Sequence, residues 1–499
     1  MAFCLMCRVN FSIYTKNNRV VRLFEKFKLF LRGGIGMNDS GLQKGLKERH
    51  MAMIAIAGVI GAGLFVGSGA VIHSTGPGAV FSYALAGALV VLVMRMLGEM
   101  AAARPTSGSF AAYAHEAIGP WAGFTVGWLY WFFWVIVIAI EANAGAAIIQ
   151  YWFPSIPLWL LSLILTILMT LTNIWSVKSY GEFEYWFAFI KVASIVLFLI
   201  LGLAFIFGLA PGSDPVGLKN LTGHGGLMPH GIGSILVGIV IVIFSFFGTE
   251  IVTIAAGESA EPQEAVSKAT KSVTWRILVF YIGSIAVVVT LLPWNSASVL
   301  KSPFVAVLEH VGVPAAAQIM NFIVLTAVLS CLNSGLYTTS RMLYSLAEKG
   351  EAPKSFLRLS KNGVPVRAVI ASTLFAYIAV IMNYISPDKV FLFLVNSSGA
   401  IALLVYLAIA VSQLRLRKKL ERENSDSLKI KMWLFPHLTY FTILILLVIL
   451  ASMLFIDSMV SQLLLTLLIT AVVIVCYFAF ARRRLDPTYE PAASTIAKD

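Results

Sequence analysis

Gly61-Ala62-Gly63-Leu64-Phe65-Val66-Gly67-Ser68-Gly69 puts four glycines into nine residues of an otherwise apolar run. A second interruption, Phe244-Ser245-Phe246-Phe247-Gly248-Thr249-Glu250 followed by Gly257-Glu258, lies in a later apolar run. Unwinding a helix inside a bilayer frees N–H and C=O groups that lipid cannot satisfy, so such a break must face a cavity. Glycine lets a ligand approach the backbone closely and tolerates positive φ. The half-helix that restarts after the break turns its N–H groups and positive dipole end toward a carboxylate. Close helix packing through small residues accounts equally well for the first string taken alone. Its pairing with a second interruption favours the cavity. The string also mimics a dinucleotide fingerprint, but no strand precedes it and that reading is discarded.

The surrounding composition sets these breaks in a membrane. Of 499 residues, 59% are hydrophobic and 12% charged, against ~25% charged in an ordinary soluble chain, and mean hydropathy is +0.86. Runs of the ~20 apolar residues that cross a bilayer occur at 51–72, 78–98, 121–148, 156–175, 186–209, 232–256, 275–295, 315–341, 366–384, 388–412, 433–455 and 460–481. They predict an all-α integral membrane protein with twelve transmembrane helices. Helices one and six carry the breaks and head two five-helix sets. Because five is odd, the second set runs upside down relative to the first, which is the inverted repeat of secondary transporters. The expected organisation is a cytoplasmic N-terminal tail at 1–50, a first repeat at 51–231 and an inverted second repeat at 232–412. A cytoplasmic loop at 413–432, helices eleven and twelve at 433–481 and a cytoplasmic tail at 482–499 follow.

Lys and Arg number 37 against 24 Asp and Glu, a net charge of +13. The excess falls on alternate loops, including Arg341 to Arg367, Arg415 to Lys431 and Arg482 to Arg484, whereas the opposite loops hold Lys219, Lys301 and Lys389. By the positive-inside rule both termini are cytoplasmic, and the lipid bilayer, not nucleic acid, is the partner. Residues 1–36 carry no secretory signal pattern. Either Val20 to Arg32 forms a basic amphipathic helix on the inner leaflet, or the natural start is Met37. In the second case Arg32-Gly33-Gly34-Ile35-Gly36 is a purine-rich ribosome-binding stretch read as codons. Cys4, Cys7, Cys331 and Cys476 give no disulfide framework or metal site.

Three ionisable residues lie inside spans, where their cost marks them as functional candidates. Glu141 could hold a substrate ammonium, or could cap or pack against a neighbouring helix. Lys191 could snorkel to the nearby interface, or dock between spans one and eight and exchange a proton, burial easing its deprotonation. Glu250 directly follows the second break, where it could accept exposed N–H groups as a clamp or take up a proton as a gate.

Several motifs in order resemble the bacterial amino acid permeases of the amino acid, polyamine and organocation superfamily. They are Gly58-Val59-Ile60-Gly61-Ala62-Gly63-Leu64-Phe65, Arg104-Pro105-Thr106-Ser107-Gly108-Ser109-Phe110, Phe247-Gly248-Thr249-Glu250 and Asn333-Ser334-Gly335-Leu336-Tyr337 leading into Arg341-Met342-Leu343. The resemblance runs from about Met37 to about Arg484. It implies the five-plus-five repeat with two extra helices and proton-coupled uptake of a small zwitterionic amino acid. Gly61, Ala62 and Gly63 would then meet the substrate carboxylate, with Ser245, Phe246 and Glu250 as the opposing wall and gate. Lys191 would occupy the place where sodium-coupled relatives hold sodium. In Trp128-Leu129-Tyr130-Trp131-Phe132-Phe133-Trp134, Pro293-Trp294-Asn295 and Asn396-Ser397-Ser398-Gly399-Ala400 the chain looks most like the γ-aminobutyrate permeases of bacilli.

A permease or exchanger for an α-amino acid is the alternative mechanism, and a membrane nutrient sensor the alternative class. Enzyme motifs such as H-E-x-x-H and G-x-S-x-G are missing from the sequence. The expectation is no metal, no cofactor beyond the coupling proton and no obligate protein partner. Leu343 to Leu359 reads as an amphipathic stretch against the inner membrane surface.

Overall fold

The computed structural model describes residues 60–104, 106, 109–175, 177–210, 214–250, 275–385, 387–423, 428 and 430–481. The N-terminal readings, including the Met37 start, the Val20 to Arg32 helix and the Cys4/Cys7 pair, lie outside the described residues, as do Gly257-Glu258 and the tail at 482–499. Every regular element among the described residues is helical. Nine described helical stretches are long and apolar enough to cross a membrane, and two shorter apolar helices, Gly233–Phe246 and Ile277–Leu291, lie where spans six and seven are expected.

The first glycine string breaks the backbone as its composition requires. Gly61 is non-helical at φ −138° and ψ −144°, a single turn α1 runs Ala62–Phe65, and after Val66 the helix resumes as α2, Gly67–Thr75. The Gly76–Gly78 turn then reverses the chain into α3, Ala79–Ala103. A short helix α4, Ser109–Ala117, leads into α5, Pro120–Gln150. Proline at the start of α5 suits a first turn whose N–H would be unpaired in any case.

Helix α5 is the centre of the molecule, with 83% of its apolar span buried. Being apolar on all sides suits a helix surrounded by other helices. Two of its indoles find polar partners, Trp131 donating to the Ser372 hydroxyl at 3.1 Å and Trp128 to the Glu351 carbonyl at 3.3 Å. Helices α6, Leu158–Trp175, and α7, Val177–Ile206, lie further out, and only 22% of the Glu184–Ile206 span of α7 is buried. Trp186, Phe189, Leu197 and Ile200 face outward on α7 while Glu184, Ala188, Lys191, Ile195 and Phe198 face inward. That inward stripe follows the three-and-four spacing of one helix face.

Helix α8, Gly233–Phe246, ends at the second break. Phe247 is extended and Gly248 has φ 104°, a left-handed value that favours glycine. A π-helical stretch, Ile277–Ile282, enters α9, Gly283–Leu291. Then come α10, Ala316–Glu348, α11, Val366–Ile385, and α12, Pro387–Glu423. The chain closes with α13, His437–Ser452, and α14, Asp457–Cys476.

Two boundaries differ from the sequence expectation. Helix α12 continues to Glu423, well past the expected end of span ten at 412. The extension is held by a buried pair in which Arg417 donates to Glu99 of α3 at 2.6 Å, with Gln413 also donating to Glu99 at 2.8 Å. The amphipathic stretch divides as well. Leu343, Leu346 and Ala347 complete α10 and are buried within the protein, and a separate turn covers Lys354–Leu357. Apolar spacing alone does not distinguish a protein neighbour from a lipid one.

Candidate functional site

The two breaks face each other. A Cβ placed on Gly63 would lie 2.8 Å from both Cα and Oγ of Ser245, so α1 and the end of α8 pack backbone to backbone. A Cβ on Gly61 would meet Oε1 of Glu141 at 2.5 Å and Cβ of Cys331 at 2.7 Å. Glycine at these two positions is a steric requirement: α1 is wedged between α5, α8 and α10.

Glu141 reaches the first break directly. Both of its carboxylate oxygens accept the Ala62 N–H at 3.1 Å. Helix starts leave N–H groups without intrahelical partners, and here a carboxylate of α5 serves the first of them. The Phe65 N–H turns back to the Gly61 carbonyl at 3.5 Å and the Val66 N–H to that of Ala62 at 2.9 Å. Gly63 and Leu64 carry the other N–H groups of this first turn.

Lys191 is fully buried. Its ammonium donates to the Ile60 carbonyl at 3.0 Å and to the Ser330 hydroxyl at 2.8 Å, so it lies between spans one and eight. The Ile60 carbonyl immediately precedes the break, and a charged donor is a strong partner for it in a medium without water. Ser330 in turn donates to Oε1 of Glu184 at 2.6 Å.

At the second break, Glu250 curls back on its own turn, both oxygens accepting the Gly248 N–H at 2.9 Å. It is buried, as is Arg276 at the start of the π-helical stretch, and Arg276 and Tyr130 are among the groups that act on it. Ser245 has its carbonyl engaged by the Tyr281 hydroxyl at 3.0 Å. The Phe246 ring packs between Tyr83 and Tyr281, with centroids 6.0 Å and 4.7 Å away. Phe247 packs on the other side against Phe133 at 4.0 Å and Tyr406 at 5.0 Å.

The structure thus brings Gly61, Ala62, Glu141 and Lys191 to one break and Gly63 against Ser245 of the other. Phe246 and Glu250 lie at the end of α8. Glu184, Ser330, Arg276 and Tyr281 also line these contacts, although the motifs and in-span charges of the sequence do not single them out. Glu184 had a usable signal, since it stands seven residues before Lys191 and therefore on the same helix face. Ser330 had none, because hydroxyls are common in membrane helices. No cluster of His, Cys, Asp and Glu capable of holding a metal occurs among the described residues.

Residues 50–488 match the amino acid permease family. The chain is 73% identical over 452 residues to the gamma-aminobutyric acid permease of Bacillus subtilis, covering 91% of this chain and 96% of that protein. It is 52% identical over 413 residues to the gamma-aminobutyric acid permease of Escherichia coli, covering 82% and 88%. An aromatic amino acid transport protein of Corynebacterium glutamicum is 45% identical over 421 residues, covering 84% and 90%. Among solved structures, a manganese transporter of Eremococcus coleocola superposes with a TM-score of 0.54 at 14% identity, covering 89% of this chain and 96% of that one. At that identity the likeness concerns the fold alone. With the family matched over residues 50–488 and such relatives aligned along most of their lengths, this chain belongs to the amino acid permease family.

Proposed function

We propose that this permease takes up γ-aminobutyrate or a similar ω-amino acid together with a proton, by alternating access. In this reading twelve spans form a five-plus-five inverted repeat with two further helices, and both termini are cytoplasmic. The observation that carries the coupling is the Lys191 bridge from the carbonyl before the first break to Ser330 of α10. A protonated lysine ties α7 and α10 to the broken helix, and a neutral amine donates more weakly to the same carbonyl. Proton binding and release at Lys191 therefore biases the position of α1.

The substrate carboxylate goes to the first-turn N–H groups around Gly61, Ala62 and Gly63, with Ser245 and Phe246 on the opposite side. Glu141 accepts the Ala62 N–H, and in this reading it either yields to the substrate carboxylate or receives the substrate ammonium. Glu250 keeps the second break closed through Gly248. The substrate class is supported by the two gamma-aminobutyric acid permeases among the relatives. A proton entering down ~150 mV supplies ~3.5 kcal/mol, which sustains roughly a few-hundred-fold accumulation.

The test is uptake of labelled γ-aminobutyrate into proteoliposomes under an inward proton gradient. Accumulation that a protonophore abolishes and α-amino acids do not compete away is the expected result. Accumulation indifferent to the protonophore would overturn the coupling, and uptake of an α-amino acid alone would overturn the substrate.

A further inference from the structure

Lys191 does not end in a dead end of apolar packing. Its ammonium donates to Ser330 at 2.8 Å, and the Ser330 hydroxyl donates to Glu184 at 2.6 Å, so three side chains form one continuous hydrogen-bonded line with every donor directed the same way. Lys191, Ser330 and Glu184 are all fully buried. Asn333 and Ser334, on the next turn of α10, also face the Glu184 carboxylate. The charged or titratable groups facing Lys191 from the surrounding helices are Glu184 of α7, Glu141 of α5, Cys331 of α10 and Arg276 before α9.

The two carboxylates near Lys191 differ in what they touch. Glu141 is engaged with the Ala62 N–H at the first break. Glu184 is not at the break; it lies seven residues earlier on α7 than Lys191, about 10 Å along the helix at ~1.5 Å per residue. That displacement is toward the end of α7 that begins at Val177, the end that the basic loops mark as cytoplasmic.

We propose that Glu184 is the proton acceptor through which Lys191 discharges toward the cytoplasm, with Ser330 as the relay between them. This rests on the reading that Lys191 carries the coupling proton. The transfer balances: Lys191 gives one proton to Ser330 Oγ as the Ser330 hydroxyl proton passes to Glu184 Oε1. Lysine becomes a neutral amine, serine is unchanged and Glu184 becomes a carboxylic acid, with no oxidant or reductant involved. Glu184 then gives its proton to cytoplasmic water, and the neutral lysine accepts another when the carrier faces outward. Glu184 is a positioning and relay residue and does not touch the substrate.

Two assays on proteoliposomes with labelled γ-aminobutyrate separate this role from a structural one. Counterflow at equal pH on both sides exchanges the loaded carrier and needs no proton discharge, whereas net uptake under a proton gradient does. Glu184→Gln and Ser330→Ala are expected to keep counterflow close to wild type while net uptake falls by about a hundredfold, the low end of what a positioned proton-transfer group contributes. Their dependence on internal pH is expected to flatten, and Glu184→Asp to restore part of it. Wild-type net uptake with a wild-type pH profile in either variant overturns the relay. Should Glu184→Gln lose counterflow as well, its fold is damaged and Ser330→Ala decides. Protonophore-insensitive accumulation by the unmodified protein would overturn the underlying coupling instead, and is read without any variant.

Discussion

Lys191 of α7 holds the Ile60 carbonyl at 3.0 Å, one residue before the backbone breaks at Gly61. An ammonium is thus the fastening between a broken helix and the helices around it. Lys191→Gln is expected to retain γ-aminobutyrate counterflow and to lose accumulation driven by a proton gradient, because an amide reaches a carbonyl but carries no exchangeable charge. Proton-driven accumulation persisting in that variant would remove Lys191 from the coupling step.

The contact of Gly63 with Ser245 gives a steric prediction. Gly63→Val pushes a branched side chain into the Ser245 backbone 2.8 Å from the position of its Cβ. Overpacking of this kind costs about 1–3 kcal/mol, and its expected expression is loss of γ-aminobutyrate binding measured by calorimetry or counterflow. Gly67→Ala is the control, since the nearest atom to its Cβ is 3.7 Å away. Undiminished affinity in Gly63→Val would refute the cradle.

Glu99 and Arg417 form a buried ion pair at 2.6 Å that fixes the extension of α12 to α3. Gln413 also donates to Glu99 and receives the Thr439 hydroxyl at 3.0 Å, which ties in α13. Glu99→Ala leaves the buried guanidinium with only the exposed Glu421 carboxylate, 2.7 Å from its Nε, so the loss stays below the ~3–5 kcal/mol of a buried charge left wholly unpaired. Thermal unfolding of the detergent-solubilised protein should show a clearly lowered midpoint. A smaller loss is expected for Glu99→Gln, which keeps an oxygen acceptor. Equal midpoints for wild type and Glu99→Ala would show that the pair contributes nothing net.

Outside the spans, just beyond α10, burial pushes the Glu351 carboxyl from 4.5 up to about 7, against the opposing pull of Lys349. The folded protein therefore binds this proton more tightly than the unfolded chain. The stabilisation is complete below about pH 4.5 and is lost as pH rises to about 7, a change of about 3 kcal/mol at most. Relative to Glu351→Gln, the wild-type unfolding midpoint should fall across that interval. Parallel curves for the two proteins would exclude the titration.

The breaks and the charges are legible in the chain because each follows from a local rule. Glycines crowded into an apolar run mark the non-helical backbone at Gly61, and Gly248 marks the left-handed turn after α8. Lys191 stands out because a charge in lipid is costly wherever it is. The α12 extension is hidden for the converse reason: Arg417 looks like any basic residue of a cytoplasmic loop until Glu99, 318 residues away, arrives beside it.

A helical membrane protein, its two interrupted helices and the positions of its buried charges can all be read segment by segment along the chain. Burial in lipid and backbone satisfaction act on each segment separately, so those features need no neighbours to be recognised. What each charge meets is set by the folded bundle. The partners of Lys191 lie 131 and 139 residues away, and Glu141 reaches Ala62 across 79. Such pairings depend on which helix faces pack together, a property of the assembled helices that no single stretch of sequence contains.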